Sequence, residues 1–155
     1  MLKRKNLLKT ILALLLFALS AYAEACSRTA ENPAGNHRFW VAANDGTEKV
    51  WHDGANWSCA SGGSGGASTP NSKNKTAVFN SNSSVNVKLN ANVPKIFKLN
   101  LISGYAGTIN LNGKILRTKN NMLINYGTVL VPANSTLQSY KDLYIGTNAT
   151  VTASG

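Results

Sequence analysis

The chain has 155 residues, and 16 lysines and arginines against six acidic residues give it a formal net charge of +10. This length excludes more than one ordinary domain, although it is sufficient for a hydrophobic core. The positive charge carries no information about the fold, but it favours anionic partners.

The segment from Met1 to Ala25 has the pattern of a secretory signal peptide. A basic leader, MLKRKNLLK, precedes an apolar run at Ile11 to Leu19 and the small residues AYAEA. The run is far shorter than the roughly 20 residues that cross a bilayer, so no transmembrane span is expected after signal removal. Cleavage after Ala23 removes four of the 16 basic residues and leaves a charge of 12 − 6 = +6. We expect a secreted protein, extracellular or on the outer cell surface, with the periplasm as the alternative.

The chain contains two cysteines, Cys26 and Cys59. In the oxidising compartment that a signal peptide implies, they are expected to form a disulfide. Cleavage after Ala25 would instead leave Cys26 at the N-terminus, where bacterial lipoproteins carry their lipid. The preceding AEA lacks the larger aliphatic residue that such signals usually have, so the disulfide is favoured and lipidation stays open.

Residues 26–80 form a Trp- and Gly-rich region, which we interpret as an N-terminal cap. A polar segment without periodicity is followed by aromatic residues and by the sequence SGGSGGAS at Ser61 to Ser68, which is typical of a flexible loop. The segment WHDGANWSC, from Trp51 to Cys59, holds most of the reactive residue types of this region.

Residues 81–155 consist of short alternating runs bounded by Asn, Gly, Ser or Pro, a pattern of β-strands and turns. GTINL at Gly107 to Leu111 returns as GTVLV at Gly127 to Val131 and, more loosely, as ATVTA at Ala149 to Ala153. Such units bury their apolar side only by stacking, with Ile109, Val129 and Val151 one above another. The repeat predicts an all-β, right-handed parallel β-solenoid of about three coils of about 20–22 residues, incomplete at its C-terminus. The alternative is an antiparallel β-sandwich.

Several asparagines fall at turn-like places of this region. Stacked coils would bring their side chains close enough for hydrogen-bonded ladders. The residues concerned are Asn90, Asn92, Asn110, Asn112, Asn120, Asn121 and Asn125.

Spaced tryptophans, the NWS sequence at Asn56 to Ser58, Pro70 and the TAVF strand at Thr76 to Phe79 precede repeats such as GTINLNG and LINYGTVLV. In these motifs the chain resembles the N-terminal region of bacterial secreted β-helical surface proteins, of the autotransporter and filamentous-adhesin passenger type. The resemblance implies a solenoid that contacts other surfaces. Lys75 stands where the family usually has an aspartate before the TAVF strand.

The chain offers little for catalysis or metal binding. Adjacent residues of a strand point to opposite sides, so His52 and Asp53 cannot easily share a site. His37 and His52 with the two cysteines match no compact zinc spacing. Enzymes with a β-helical fold need clustered carboxylates, whereas Asp142 is the single acid after Asp53. We therefore predict no enzyme activity, no catalytic or metal-binding residues and no cofactor.

Trp40, Trp51 and Trp57 allow two interpretations. Exposed indoles would provide a platform for sugar rings, and buried indoles would cover the apolar end of the first coil. The favoured function is a non-enzymatic, adhesin-like surface protein, and the alternative is a small secreted carbohydrate-binding module of β-sandwich form. Expected partners are anionic cell-surface glycans or lipopolysaccharide, and a second copy or a continuation of the chain at the open C-terminal coil. Nucleic acid is not expected.

Overall fold

The computed structural model describes residues 26–154, so the predicted signal peptide lies outside the described residues. Apart from a single 3-10 turn at Gly54–Asn56, the regular elements of this part are strands. They are β1 (His37–Trp40), β2 (Lys49–Val50), β3 (Trp57–Ser58), β4 (Thr76–Phe79), β5 (Val87–Lys88), β6 (Val93–Ile96), β7 (Lys98–Leu101), β8 (Thr108–Asn110), β9 (Ile115–Thr118), β10 (Met122–Val131), β11 (Thr136–Ser139) and β12 (Leu143–Ala153).

The strands form a β-solenoid with three faces. Face one contains β1, β4, β7 and the first halves of β10 and β12, and face two contains β2, β5, β8 and the second halves of the same long strands. Face three contains β6, β9 and β11. Every pairing within a face is parallel, and β3 with β1 is the antiparallel pair of the described sheets. The predicted β-solenoid is therefore confirmed, and the β-sandwich is wrong.

The solenoid makes about four turns, one more than the sequence predicts. Lys98 pairs with Thr76 one coil earlier, and Met122 pairs with Leu99 and Leu143, so successive coils differ slightly in length. The parallel ladder already begins at His37, so the predicted cap, residues 26–80, contains part of the solenoid itself. The sequence does not indicate the extra turn, because residues 57–75 leave the parallel ladder and lengthen the first coil.

Apolar side chains stack along the interior from coil to coil. Val129 is in register with Ile109 below it and Val151 above it, as the repeat predicts, and Val87 extends the stack downwards. Val87, Ile109 and Val129 are completely buried. Each coil thus covers the apolar side of its neighbour, which is the physical reason that a single coil is not stable alone.

The asparagines join coils differently from the predicted ladders. The Oδ1 atom of Asn92 accepts a hydrogen bond of 3.0 Å from the main-chain N–H of Ile115, one coil further along. The Nδ2 group of Asn112 donates to the carbonyl oxygen of Leu89 over 3.1 Å. In the described residues the side chains of Asn92 and Asn112 thus bond to the main chain of a neighbouring coil and not to another asparagine.

The two ends of the solenoid differ. At the N-terminal end β3 pairs with the outer edge of β1 and covers it. At the other end β12 pairs with β10 on one side, and no described residue pairs with its second edge. Leu143, Tyr144 and Ile145 of β12 are 46–53% exposed. Leu143 and Ile145 are in register with the buried Met122 and Ile124 of the preceding coil.

Gly127 is needed where β10 turns from face one to face two. Its φ is +75°, and a Cβ atom there would lie 2.7 Å from Tyr105 Cδ1 and 2.8 Å from the carbonyl oxygen of Gly107. Tyr105 is buried, so its ring or the backbone would have to shift to admit the methyl group. We expect Gly127→Ala to lower the free energy of unfolding by about 3 kcal/mol, measured by urea denaturation.

Gly113 provides the matched control for this substitution. Its φ is +71°, but no atom lies within 4 Å of the position that a Cβ would take. Gly113→Ala should therefore cost only the backbone strain, about 1 kcal/mol. Equal losses in the two variants would show that the contact with Tyr105 has no part in the effect.

Candidate functional site

The three tryptophans form one aromatic cluster inside the first coil. Trp40, Trp51 and Trp57 are each 0% exposed. The Trp57 ring lies 5.0 Å from the Trp40 ring and 4.9 Å from the Trp51 ring, centroid to centroid, in edge-on geometry. Phe79 of the second coil contacts all three indoles, so the cluster is continuous with the solenoid core.

The indole N–H groups are also used inside the protein. Trp40 donates to the carbonyl oxygen of Val85 over 3.0 Å, Trp57 to that of Trp51 over 2.7 Å, and Trp51 to that of Pro70 over 3.3 Å. A sugar platform needs an accessible ring face, and none of the three side chains offers one. Their placement at the N-terminal end is that expected of an apolar plug.

His52 and Asp53 have separate local partners. The main-chain N–H and the Nδ1 atom of His52 lie 3.2 and 3.0 Å from Asn90 Oδ1 in the next coil. The Asp53 carboxylate accepts a hydrogen bond of 2.9 Å from the N–H of Ala55 and caps the 3-10 turn. These contacts hold a corner of the solenoid and do not join the two residues into one site.

A disulfide joins Cys26 to Cys59, which confirms the predicted pairing, with 5.2 Å between the Cα atoms. Asn32, completely buried beside it, donates through Nδ2 to the carbonyl oxygens of Cys59 and His37. Both sulfurs are used in the bond and are therefore not ligands for the formal zinc set with His37 and His52. Among the described residues no group of three or more His, Cys, Asp or Glu side chains has metal-binding proximity.

Sequence reasoning overlooked Arg38, which is 1% exposed. Its Nε donates to the carbonyl oxygen of Ser68 over 3.0 Å, and its Nη1 to that of His37 over 2.8 Å. Burial lowers the pKa of this guanidinium, while burial and then the charge of Arg38 lower the pKa of Lys75, whose Nζ bonds to Ser68 Oγ. Arg38 thus ties the Gly/Ser loop to β1, and no pattern in the sequence marks it.

The stacked coils bring four cations together in a basic face, which we define as Lys95, Arg117, Lys119 and Lys141. These residues lie on the strands of face three or within two residues of their ends, on three successive coils. Arg117 and Lys119 flank the buried Thr118, so both point outwards. The strand alternation alone could have indicated their direction, but the register of the three coils was needed to bring them together.

Two contacts orient side chains of the basic face. The Lys95 ammonium lies 4.5 Å from the centroid of the Tyr140 ring, which is itself 55% exposed. The Nε group of Arg117 donates to Gln138 Oε1 over 2.9 Å. Face three thus presents oriented cations together with an exposed aromatic ring.

Carboxylates are distributed unevenly along the solenoid. After Asp53 the sequence has nine basic residues and the single acid Asp142. Within residues 26–154 the ion pairs join Lys49 to Asp45 and Lys88 to Glu48, next to face two. No cation of the basic face has a carboxylate partner within this range.

An open groove of about 470 Å³ lies where face one turns into face two. Gly104 to Ala106 form its floor, and Tyr126 to Thr128 with Asn148 and Thr150 form its wall. At this corner the third coil contains more residues than the fourth. The third coil therefore projects outwards and forms a step beside the fourth. The groove is wide open and its described lining contains no charged residue.

Comparisons with known proteins give no relative to describe: no family model, no curated protein and no solved structure matches the chain. Among residues 26–154 no helix is long and apolar enough to span a bilayer.

Proposed function

We propose that this chain is an exported, adhesin-like surface protein that acts by contact and not by turnover. The observation that carries the proposal is the four-turn parallel ladder with a filled core, closed by β3 at one end and exposing the edge of β12 at the other. Such a stack is a rigid, extended scaffold whose outer faces are its means of interaction.

Export is supported by two independent features. One is the leader pattern of residues 1–25. The other is the disulfide between Cys26 and Cys59, a bond that persists in oxidising compartments. Both features support our proposal that the protein is exported, to the outer cell surface or into the medium.

The exposed edge of β12 supports a passenger-like role. Unpaired strand edges readily accept another strand, and β12 has 11 residues without a charge or a proline. We propose that a further coil stacks on this edge, as in the N-terminal parts of β-helical surface proteins. The residue inventory agrees with a contact function, because one acid beyond Asp53 cannot form the carboxylate pair of a glycosidase.

Expression of the full chain in a Gram-negative host tests the proposal. N-terminal sequencing should show removal of the leader, with Glu24 or Cys26 as the first residue, and protease added to intact cells should digest the protein. The purified protein should bind whole bacterial or host cells. An uncleaved chain retained in the cytoplasm would refute export, and an exported chain that binds no cell surface would refute the contact function.

A further inference from the structure

We propose that the basic face binds a linear acidic polysaccharide through its sulfate or carboxylate groups. The inference rests on the proposed contact function and goes further, because it assigns the contact to face three and names the class of ligand. The simpler alternative is that these cations only keep strand edges soluble.

The spacing of the cations suits a repeating anionic chain. Lys95 belongs to the second coil, Arg117 and Lys119 to the third, and Lys141 to the fourth. Neighbouring coils of a parallel sheet lie about 4.8 Å apart, which is comparable to the length of one sugar residue in a polysaccharide. The rigid ladder therefore presents positive charge at nearly the interval at which such a polymer presents negative charge.

Contacts within the protein orient two of the basic side chains, those of Arg117 and Lys95. Gln138 accepts the Nε–H of Arg117, and the described residues take no hydrogen bond from its terminal Nη groups. A guanidinium oriented in this way can bind a carboxylate or sulfate through two hydrogen bonds. Lys95 is held over the Tyr140 ring, so both groups lose less freedom on binding.

Tyr140 adds a feature that a purely electrostatic surface lacks. Its ring is 55% exposed, next to Lys95 and in register with the segment that carries Lys119. An exposed aromatic ring offers an apolar surface to the C–H groups of a sugar. Cations beside such a ring favour an acidic sugar over a free anion.

The placement of the exposed apolar residues argues against a membrane as the ligand. A surface that binds lipid headgroups usually inserts apolar side chains beside its cations. In the described part of the chain the exposed Leu143, Tyr144 and Ile145 lie in the first half of β12, which belongs to face one. Tyr140 is the one exposed large apolar side chain in the described part of the basic face, and the other neighbours of the cations, such as Gln138 and Thr136, are polar.

Heparin, a sulfated polysaccharide, serves as the probe in a titration against the full secreted chain at low and physiological salt. The variant Lys95→Gln/Arg117→Gln/Lys119→Gln should bind about 10- to 100-fold more weakly, and its affinity should depend less on salt. The matched control, Arg28→Gln/Lys73→Gln/Lys98→Gln, removes the same number of cations outside face three, none of them in a described ion pair, and should change affinity less than about threefold. Uncharged dextran should not bind.

Circular dichroism and a melting curve show whether each variant is folded. Should the triple variant not fold, Lys119→Gln/Lys141→Gln provides the test, because both side chains are exposed. Equal losses in the basic-face and control variants would overturn the site, as would no binding of heparin by the wild type at low salt. Tighter binding to phosphatidylserine vesicles than to heparin would overturn the ligand class.

The same variants separate this inference from the proposed function. If the wild type is exported and binds cells, and the basic-face variant binds them equally well, the site is wrong and the contact function stands. If the wild type reaches the surface but binds neither cells nor heparin, both fail.

Discussion

Trp57→Ala should lower the free energy of unfolding by about 4 kcal/mol, the cost typical of emptying a large aromatic site in a core. Trp57 is completely buried, contacts two other indoles and Phe79 edge-on, and donates its N–H to the carbonyl oxygen of Trp51. The substitution leaves a cavity and an unpaired carbonyl group at the end that β3 covers. Urea denaturation followed by circular dichroism measures the loss without relying on indole fluorescence.

Two controls show whether burial is the cause. Trp57→Phe keeps most of the apolar volume and should lose about 2 kcal/mol. Tyr144→Ala removes a ring that is 49% exposed on β12 and should change stability by less than about 1 kcal/mol. A glycan array with the Trp→Ala variants tests the carbohydrate-binding alternative directly. A stable, folded Trp57→Ala protein that has lost glycan binding would contradict the plug and support the sugar platform.

Removing the disulfide should lower the free energy of unfolding by about as much as Trp57→Ala does. Cys26 and Cys59 are 33 residues apart, and closing a loop of this length stabilises the folded state by about 4 kcal/mol in the chain-entropy model. The bond fixes the segment that carries Asn32 against the end of β3. Cys26→Ser/Cys59→Ser should therefore unfold at a lower urea concentration than the wild type under oxidising conditions.

A reducing agent supplies the control for this variant. It should destabilise the wild type by about the same amount and leave the double variant unchanged. Wild-type protein with the same unfolding midpoint in oxidising and reducing buffer would contradict a stabilising role. A thiol assay that detects free sulfhydryl groups in the secreted, denatured protein would contradict the bond itself.

Much of the fold follows from local pattern. Alternation and turn residues indicated strands, and the returning sequences GTINL and GTVLV indicated the stack of Ile109, Val129 and Val151 that the structure contains. Repetition made this possible, because stacking identical units places equivalent residues in register. The first coil has no such copy, since residues 57–75 interrupt its ladder, and for that reason the number of turns was underestimated.

The candidate sites were predicted less well, because they depend on direction and register. The sequence WHDGANWSC contains reactive residue types, but the fold turns its tryptophans inwards and gives His52 and Asp53 separate partners. Arg38 is buried because the Gly/Ser loop folds over it, a contact across about 30 residues that no local pattern indicates. These outcomes depend on contacts between residues far apart in the chain.

By itself, the sequence determined the β-class, the repeat length, the use of the two cysteines and the excess of positive charge, because each is expressed in composition or in spacing along the chain. Only the tertiary structure decided where those charges and aromatic rings lie. Coils of unequal length bring Lys95, Arg117, Lys119 and Lys141 to one face while burying Trp40, Trp51 and Trp57. The physical reason is that stacking register, and not distance in sequence, sets which side chains of successive coils become neighbours.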